Sequence, residues 1–230
     1  MKGARSAGGG RQPASGAAAA KKTRRRSPAS LPNEVRIVGG AWKRSKLRVL
    51  DRPGLRPTPD RVRETLFNWL GQDLTGWRCL DAYAGSGALG FEAASRGAAE
   101  VLLLERDRAL VQALDEARER LKASALRVEA ADALSWLPRC APGRFELVLL
   151  DPPFDAGLAE KSLAAAAPLL VPGGFVYLEA GAFTPDEAFA ALGLAPHRAG
   201  RAGAVRFQLA RRLSSPDDGA GPAVEGEDAA

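Results

Sequence analysis

The chain has 230 residues, with 33 Lys and Arg against 27 Asp and Glu and a formal net charge of +6. That length holds one domain of about 180 residues plus tails, large enough to bury a full core. The longest apolar run, Leu163 to Val171, is far short of the ~18 residues a spanning helix needs, Cys79 and Cys140 are too distant in sequence for a CxxC pair and indicate no disulfide framework, and a single histidine leaves no metal-ligand cluster. A cytoplasmic protein with neither membrane nor metal partner is expected.

The ends differ from the middle. Residues 1–33 carry eight Lys or Arg and no acid among many Gly, Ala and Ser, a composition that cannot pack a core and reads as a disordered basic tail. It resembles a transit peptide in charge but lacks the apolar h-region of a secretory signal. Residues 214–230 are an acidic counterpart with Asp217, Asp218, Glu225, Glu227 and Asp228, leaving residues 34–213 as the domain, with 25 bases against 22 acids. Within it the bases are concentrated. From Arg36 to Arg63 nine of them face only Asp51 and Asp60, an electropositive patch of the kind phosphate binding requires.

Residues 34–71 read as an extension preceding the sheet. Val35 to Val38 and Lys46 to Leu50, on either side of Gly39-Gly40, suggest a short β-ribbon presenting bases and Trp42. Bases also guard edge strands against aggregation, but an aromatic among them suits nucleotide stacking. The candidate RNA contacts are therefore Arg36, Trp42, Lys43, Arg44 and Lys46, followed by Arg56 and Arg63. A helix is expected next, with Thr58 as N-cap, Pro59 at its first position and Asp60 in the first turn. Val62, Leu66, Trp69 and Leu70 fall on its buried face.

The core then alternates strand and helix, the pattern of a parallel sheet covered on both faces. Strands are expected at Arg78 to Ala82, Val101 to Glu105, Leu126 to Ala130, Phe145 to Asp151 and Gly174 to Glu179, and helices at Ala88 to Arg96, Arg108 to Lys122, Ala133 to Leu137, Leu158 to Leu170 and Pro185 to Leu192. Ala195 to Arg201 and Ala204 to Arg211 pivot about Gly203 as an antiparallel hairpin, in which His197 is incidental. The fold class is α/β: a Rossmann-like, doubly wound, mostly parallel sheet with a C-terminal antiparallel hairpin and an N-terminal β-ribbon plus helix.

Two strand ends carry the chemistry. In CLDAYAGSGALG, Gly85, Gly87 and Gly90 satisfy G-x-G-x-x-G, with Ser86 inside the loop and Glu105 ending the next strand, placed to hold ribose hydroxyls. Alone this admits a dinucleotide. Asp81, however, stands where a pyrophosphate would settle and would attract the ammonium of a methionine moiety instead, which favours S-adenosylmethionine. Asp132 is placed to accept from the adenine amino group. In FELVLLDPPF the prolines stop the strand at Asp151. The Asp151 carboxylate and the Pro152 carbonyl form an acceptor pair for a planar NH2, Pro153 fixes the turn, and Phe154 offers a face for a base to stack on.

The combination D-x-x-x-G-S-G, an acid ending the second strand and D-P-P-F ending the fourth resembles a class I, Rossmann-like, S-adenosylmethionine-dependent methyltransferase acting on an amino nitrogen. More narrowly, RIVGGAWKRSKLRVLDRPGLRPTPDRVRETLFNWL followed by CLDAYAGSGALGFEAASRGA is similar to the RsmD family, the 16S ribosomal RNA (guanine-N2)-methyltransferases of bacteria. The resemblance covers about Val35 to Arg212. It implies methylation of one guanine N2 in small-subunit RNA within an assembled or assembling ribosomal particle, with the extension meeting RNA and helping to close the cofactor site. D-P-P-F by itself leaves adenine N6 of DNA and protein glutamine open, and a non-catalytic RNA-binding assembly factor of the same fold is the contrasting class. The upstream bases and the intact acidic positions favour the RNA methyltransferase.

Overall fold

A seven-stranded sheet carries the chain, and its strand order, β5-β4-β3-β6-β7-β9-β8, reverses direction of build at β3. The computed structural model describes residues 34–52, 55, 57–153 and 157–214. The two expected tails up to residue 33 and from residue 215, together with Arg56 and Phe154, lie outside the described residues. β3 (Arg78–Asp81), β4 (Glu100–Glu105), β5 (Leu126–Ala130), β6 (Phe145–Leu150) and β7 (Leu170–Ala180) are mutually parallel. β8 (Leu194–Ala202) and β9 (Val205–Arg212) form the expected hairpin, and β9 inserts antiparallel beside β7.

Side-chain alternation divides the core in two. Cys79, Val101, Leu103, Leu147, Leu149 and Tyr177 pack toward α1 (Asp60–Trp69), α2 (Ala88–Ser95) and α3 (Arg108–Leu121). Leu80, Leu102, Val148, Leu150 and Leu178 pack toward α4 (Ala133–Trp136), α5 (Leu158–Ala166) and α6 (Asp186–Ala190). Strands β3 to β6 are apolar on successive residues because both faces are covered. The helices end earlier than expected where a proline intervenes: Pro138 and Pro168 turn the last residues after α4 and α5 into short 3-10 turns. β7 is longer than expected and begins at Leu170, with a bulge against β6 between Phe145 and Leu147.

The N-terminal extension pairs β1 (Glu34–Arg36) with β2 (Lys46–Arg48) and is fastened to α2 by a buried polar network. Glu92 accepts from Val38 N–H, from Gly39 N–H at 3.3 Å, from Arg63 Nη1 at 2.8 Å and from Arg96 Nη2 at 3.3 Å. Gly39 and Gly40, in the connection between the two strands, let the backbone approach α2. A methyl group on Gly40 would sit 1.9 Å from the Ser95 carbonyl oxygen, and its φ of +71° is the left-handed region that favours glycine. Two further expectations are corrected. Thr58 does not cap α1; Pro59 holds the N-cap position without a side-chain bond. Arg63 is not available to RNA: its side chain is fully buried and donates to Glu92, to Asp60, and to the backbone carbonyls of Thr58 and Arg36. It lies on the same helical face as Val62 and Leu66, so it is drawn inside, where a guanidinium must be paired.

Breaking a buried pair strands the partner charge, and Arg63→Met should lower unfolding free energy by about 3 kcal/mol in urea titration. A loss below ~1 kcal/mol would show that Arg96 alone satisfies Glu92.

Candidate active site

Continuing the alternation to the strand termini carries four carboxylates onto the face covered by α1 to α3. Asp81 lies in register with Leu103 and Leu149, so Glu105 and Asp151, each two residues further along, project from the same face. The pairing of Leu150 with Leu178 sets Asp151 beside Glu179. All four stand at the carboxyl edge of the sheet, around the position where the strand order reverses, the place where open α/β sheets bind ligands.

The glycine loop is built around Asp81. Its Oδ2 accepts from Gly90 N–H at 2.9 Å, which ties the end of β3 to the first turn of α2. A methyl group on Gly90 would lie 2.2 Å from Leu103 Cδ2, so this glycine serves helix-strand packing. Gly85 and Gly87 have φ of +52° and +78° and turn the chain into the helix, with Ser86 buried between them. Glu105 splints the loop from the neighbouring strand, accepting from Gly85 N–H at 2.9 Å and from Asp107 N–H at 2.8 Å. Each of its oxygens retains a lone pair for a ribose hydroxyl. Leu55 of the extension lies over the loop, 2.8 Å from the position a Gly85 methyl would take. Asp132 caps α4 through Oδ1, accepting from Ser135 N–H at 3.0 Å, and is exposed at the same edge.

Asp81 is 1% exposed, and its Oδ1 has no hydrogen-bond partner among the described residues. Burial, reinforced by the Glu105 and Glu179 carboxylates and opposed by the Gly90 and Tyr83 backbone bonds, pushes its carboxyl up to about 7. Burial first, then Glu179 and Asp81, also holds the Asp151 carboxyl well above the usual range. Glu179, 3% exposed, is raised by burial in the same direction. A cationic group placed among these acids relieves all three, whereas a pyrophosphate would add to the repulsion. The orphaned Asp81 oxygen and the cluster of raised carboxyls thus fit a sulfonium and ammonium ligand.

Sequence reasoning did not single out Glu179, Thr58 or Tyr177. The Thr58 and Tyr177 hydroxyls each donate to Glu179 Oε1 at 2.9 Å, so the residue expected to cap α1 instead joins the extension to the strand edge. Glu179 carried the same signal as the other three acids, since it ends the expected fifth strand. Beside it, Pro152, Pro153, Gly157, Ala180 and Phe183 line a cavity of about 230 Å³. That is several times the ~30 Å³ of one water and of the scale of a nucleobase.

The remaining RNA candidates are on the surface. Arg36 is exposed and 3.7 Å from Asp60, Lys46 is exposed and 2.6 Å from Glu34, and Lys43 and Arg44 are exposed. Trp42 is half-buried and edge-on to Phe91, with centroids 6.3 Å apart. Trp42 N–H donates to Ser95 Oγ, and Arg120 donates to the Lys46 carbonyl. The ribbon turn therefore lies by the last turns of α2 and α3, at the edge of the sheet opposite the carboxylates.

A doubly wound sheet with acids at its strand ends, a glycine loop tied to the first and Asp-Pro-Pro closing the fourth defines a class I methyltransferase. The family model described as Conserved hypothetical protein 95 matches residues 35–210. The chain belongs to that family, the RsmD family. It is 44% identical over 184 residues to Ribosomal RNA small subunit methyltransferase D of Escherichia coli strain K12, covering 78% of this chain and 90% of the relative. The solved structure of yhhF from Escherichia coli superposes with a TM-score of 0.68 at 38% identity, over 79% of this chain and 99% of that one. In fold alone the chain is also similar to magnesium protoporphyrin IX methyltransferase of Synechocystis with bound S-adenosylmethionine, at 21% identity and a TM-score of 0.53, over 66% of this chain and 78% of that one.

The raised Asp81 carboxyl has a definite sign. Between roughly pH 4 and pH 7 the folded cofactor-free protein holds a proton that the unfolded chain releases, so stability falls as pH rises through that window. Asp81→Asn should raise the Tm of the cofactor-free protein by about 5 °C at pH 8 and change it little at pH 4. An equal shift at both values would show that charge burial is not the cause.

Proposed function

We propose that the chain transfers a methyl group from S-adenosylmethionine to the exocyclic N2 of a guanine in 16S ribosomal RNA, in the cytoplasm, within an assembled or assembling small ribosomal subunit. The observation that carries this reading is the Asp-Pro-Pro strand end beside a base-sized cavity, on a sheet edge whose acids suit a cationic cofactor. Asp81, Gly85, Ser86, Gly87, Glu105 and Asp132 hold the cofactor, Asp81 at the ammonium, Glu105 at the ribose and Asp132 at the adenine. When bound, the cofactor supplies an electrophilic methyl group on a sulfonium.

The chain's own residues then position the nucleophile. The Asp151 carboxylate and the Pro152 carbonyl accept the two N2 hydrogens and turn the nitrogen lone pair toward the cofactor, with Pro153 setting the angle and Phe154 stacking on the ring. Such positioning is worth roughly 7–11 kcal/mol in favourable cases, so no strong general base is needed. Glu179, held by Thr58 and Tyr177, lies beside Asp151 and keeps a negative field at the edge where the cationic ligand sits. Leu55 covers the glycine loop and excludes water from it. Arg36, Lys43, Arg44 and Lys46 take phosphates of the large RNA, with Trp42 among them.

The direct test is methyl transfer from labelled S-adenosylmethionine to small subunits lacking their natural modifications, with duplex DNA and total protein in parallel. N2-methylguanosine in the RNA alone is the expected product; label in DNA adenine or protein glutamine would overturn the substrate assignment. Asp151→Ala should depress turnover ~100-fold or more while leaving cofactor affinity within a few-fold, and equal losses in both would remove Asp151 from the acceptor role. The ionised Asp151 is the stronger acceptor, so kcat/KM in the wild type should fall as pH drops through its raised pKa, and Asp151→Asn should flatten that limb. Replacing Lys43, Arg44 and Lys46 together by Ala should reduce the slope of log affinity against log salt by about 0.7 for each phosphate left unneutralised.

A further inference from the structure

Among the described residues, the β8–β9 hairpin contains Arg198, Arg201, Arg206, Arg211 and Arg212 and no acid. Among the described residues none of the five makes an ion pair, although eight other basic residues do. Their donors go to backbone carbonyls: Arg201 and Arg206 both reach the Gly203 carbonyl, at 3.2 and 3.1 Å. Arg201 and Arg206 are directly opposite across the two strands, an arrangement of like charges that destabilises a sheet unless an anion joins them.

Topology sets this pair at the reacting edge. β9 runs antiparallel to β7, with Glu179 opposite Phe207 and Ala180 opposite Arg206, so the hairpin tip extends beyond the strand-end carboxylates. The hairpin is held there from the other side by Trp69 of α1, stacked on Phe207 at 5.4 Å. In front of the tip lies Phe183, 48% exposed. Its ring lies 5.6 Å from the Arg206 guanidinium and lines the same cavity as Pro152, Pro153 and Glu179. A half-exposed aromatic backed by a guanidinium is a surface on which a base stacks, and the neighbouring unpaired arginine meets its phosphate.

We infer that Phe183, Arg206 and Arg201 form a nucleotide platform that holds the RNA next to the target base, Phe183 and Arg206 stacking a base and Arg201 binding phosphate. The inference rests on the RNA reading above and gives the C-terminal hairpin the RNA segment nearest the chemistry, while the basic ribbon binds at the opposite edge. The platform explains why an acidic pocket tolerates a polyanion at its mouth. The acids face the cationic cofactor, and the arginines screen the incoming phosphates.

The test uses the full chain with saturating S-adenosylhomocysteine, and measures filter binding to unmodified small subunits and to deproteinised 16S RNA over a salt series. Methyl transfer and cofactor affinity are measured in parallel. Arg201→Ala with Arg206→Ala should weaken binding to both RNAs about tenfold near 0.1 M salt and reduce the salt slope by about 0.7 for each phosphate that the arginines had neutralised. Phe183→Ala should raise KM for RNA with cofactor affinity unchanged, and Phe183→Trp should restore it. Wild-type affinity and slope in these variants, alongside normal wild-type methylation, would overturn the platform and leave the RNA methyltransferase reading standing. Weakened binding to the particle but not to naked RNA would assign the hairpin to a ribosomal protein and also overturn it. Loss of RNA binding in the variants, with a wild type that binds RNA but methylates none, would support the platform and defeat the methyltransferase reading. A wild type that binds neither RNA defeats both.

Discussion

Four carboxylates at the carboxyl ends of parallel strands, projected onto one face by side-chain alternation, set the terms for everything around them. Register leaves no freedom: once Asp81 aligns with Leu103 and Leu149, Glu105, Asp151 and Glu179 must face the same way. Parallel strands buried on both faces provide little water at that edge, so Asp81, Asp151 and Glu179 are desolvated and raised. The protein meets this cost partly with N–H and O–H donors, from Gly90 to Asp81, from Gly85 and Asp107 to Glu105, and from Thr58 and Tyr177 to Glu179. What remains, an orphaned Asp81 oxygen and raised carboxyls, is the complement of a positively charged ligand.

The N-terminal extension is the second element of the design. It contributes Thr58 and Leu55 to the edge and is fixed by Glu92, whose carboxylate gathers two backbone N–H groups and two arginines. A buried pair of this kind adds little net stability over an apolar alternative, and its value lies in orientation. Moving the extension would strip Glu92 of donors and Glu179 of the Thr58 hydroxyl at once. The closure of the glycine loop and the setting of the acid cluster are thereby linked to one anchoring group on α2.

Charge is segregated in space as it is in sequence. Acids line one face at the carboxyl edge of the sheet, whereas arginines without an ion pair among the described residues lie on the hairpin tip beside it and exposed bases on the ribbon turn. On the function proposed above, a polyanionic substrate is drawn to the rim, only a neutral planar amine reaches the interior, and the transfer site needs no counter-charge for phosphate inside it.

The glycine loop, the acids ending β3, β4 and β6 and the Asp-Pro-Pro stop were legible in the sequence because each is a local signal. Glycine spacing, an apolar run ending in an acid and a double proline declare themselves within a dozen residues. The strand-helix alternation likewise determined the fold class, since a run apolar on every residue can be buried only between two helical layers. Tertiary structure alone decided the roles of residues whose partners are distant. Thr58 has ideal capping chemistry but lies 2.9 Å from a carboxylate 121 positions away. Arg63 reads as one more surface base but faces inward because Glu92 offers it a buried partner. The hairpin arginines carry no local signal, and only the return of β9 beside β7 places Arg201 and Arg206 near the strand-end acids. Local pattern specifies which residues form an element and which face it buries, but pairing across the sheet determines which side chains meet, and this site's chemistry depends on those meetings.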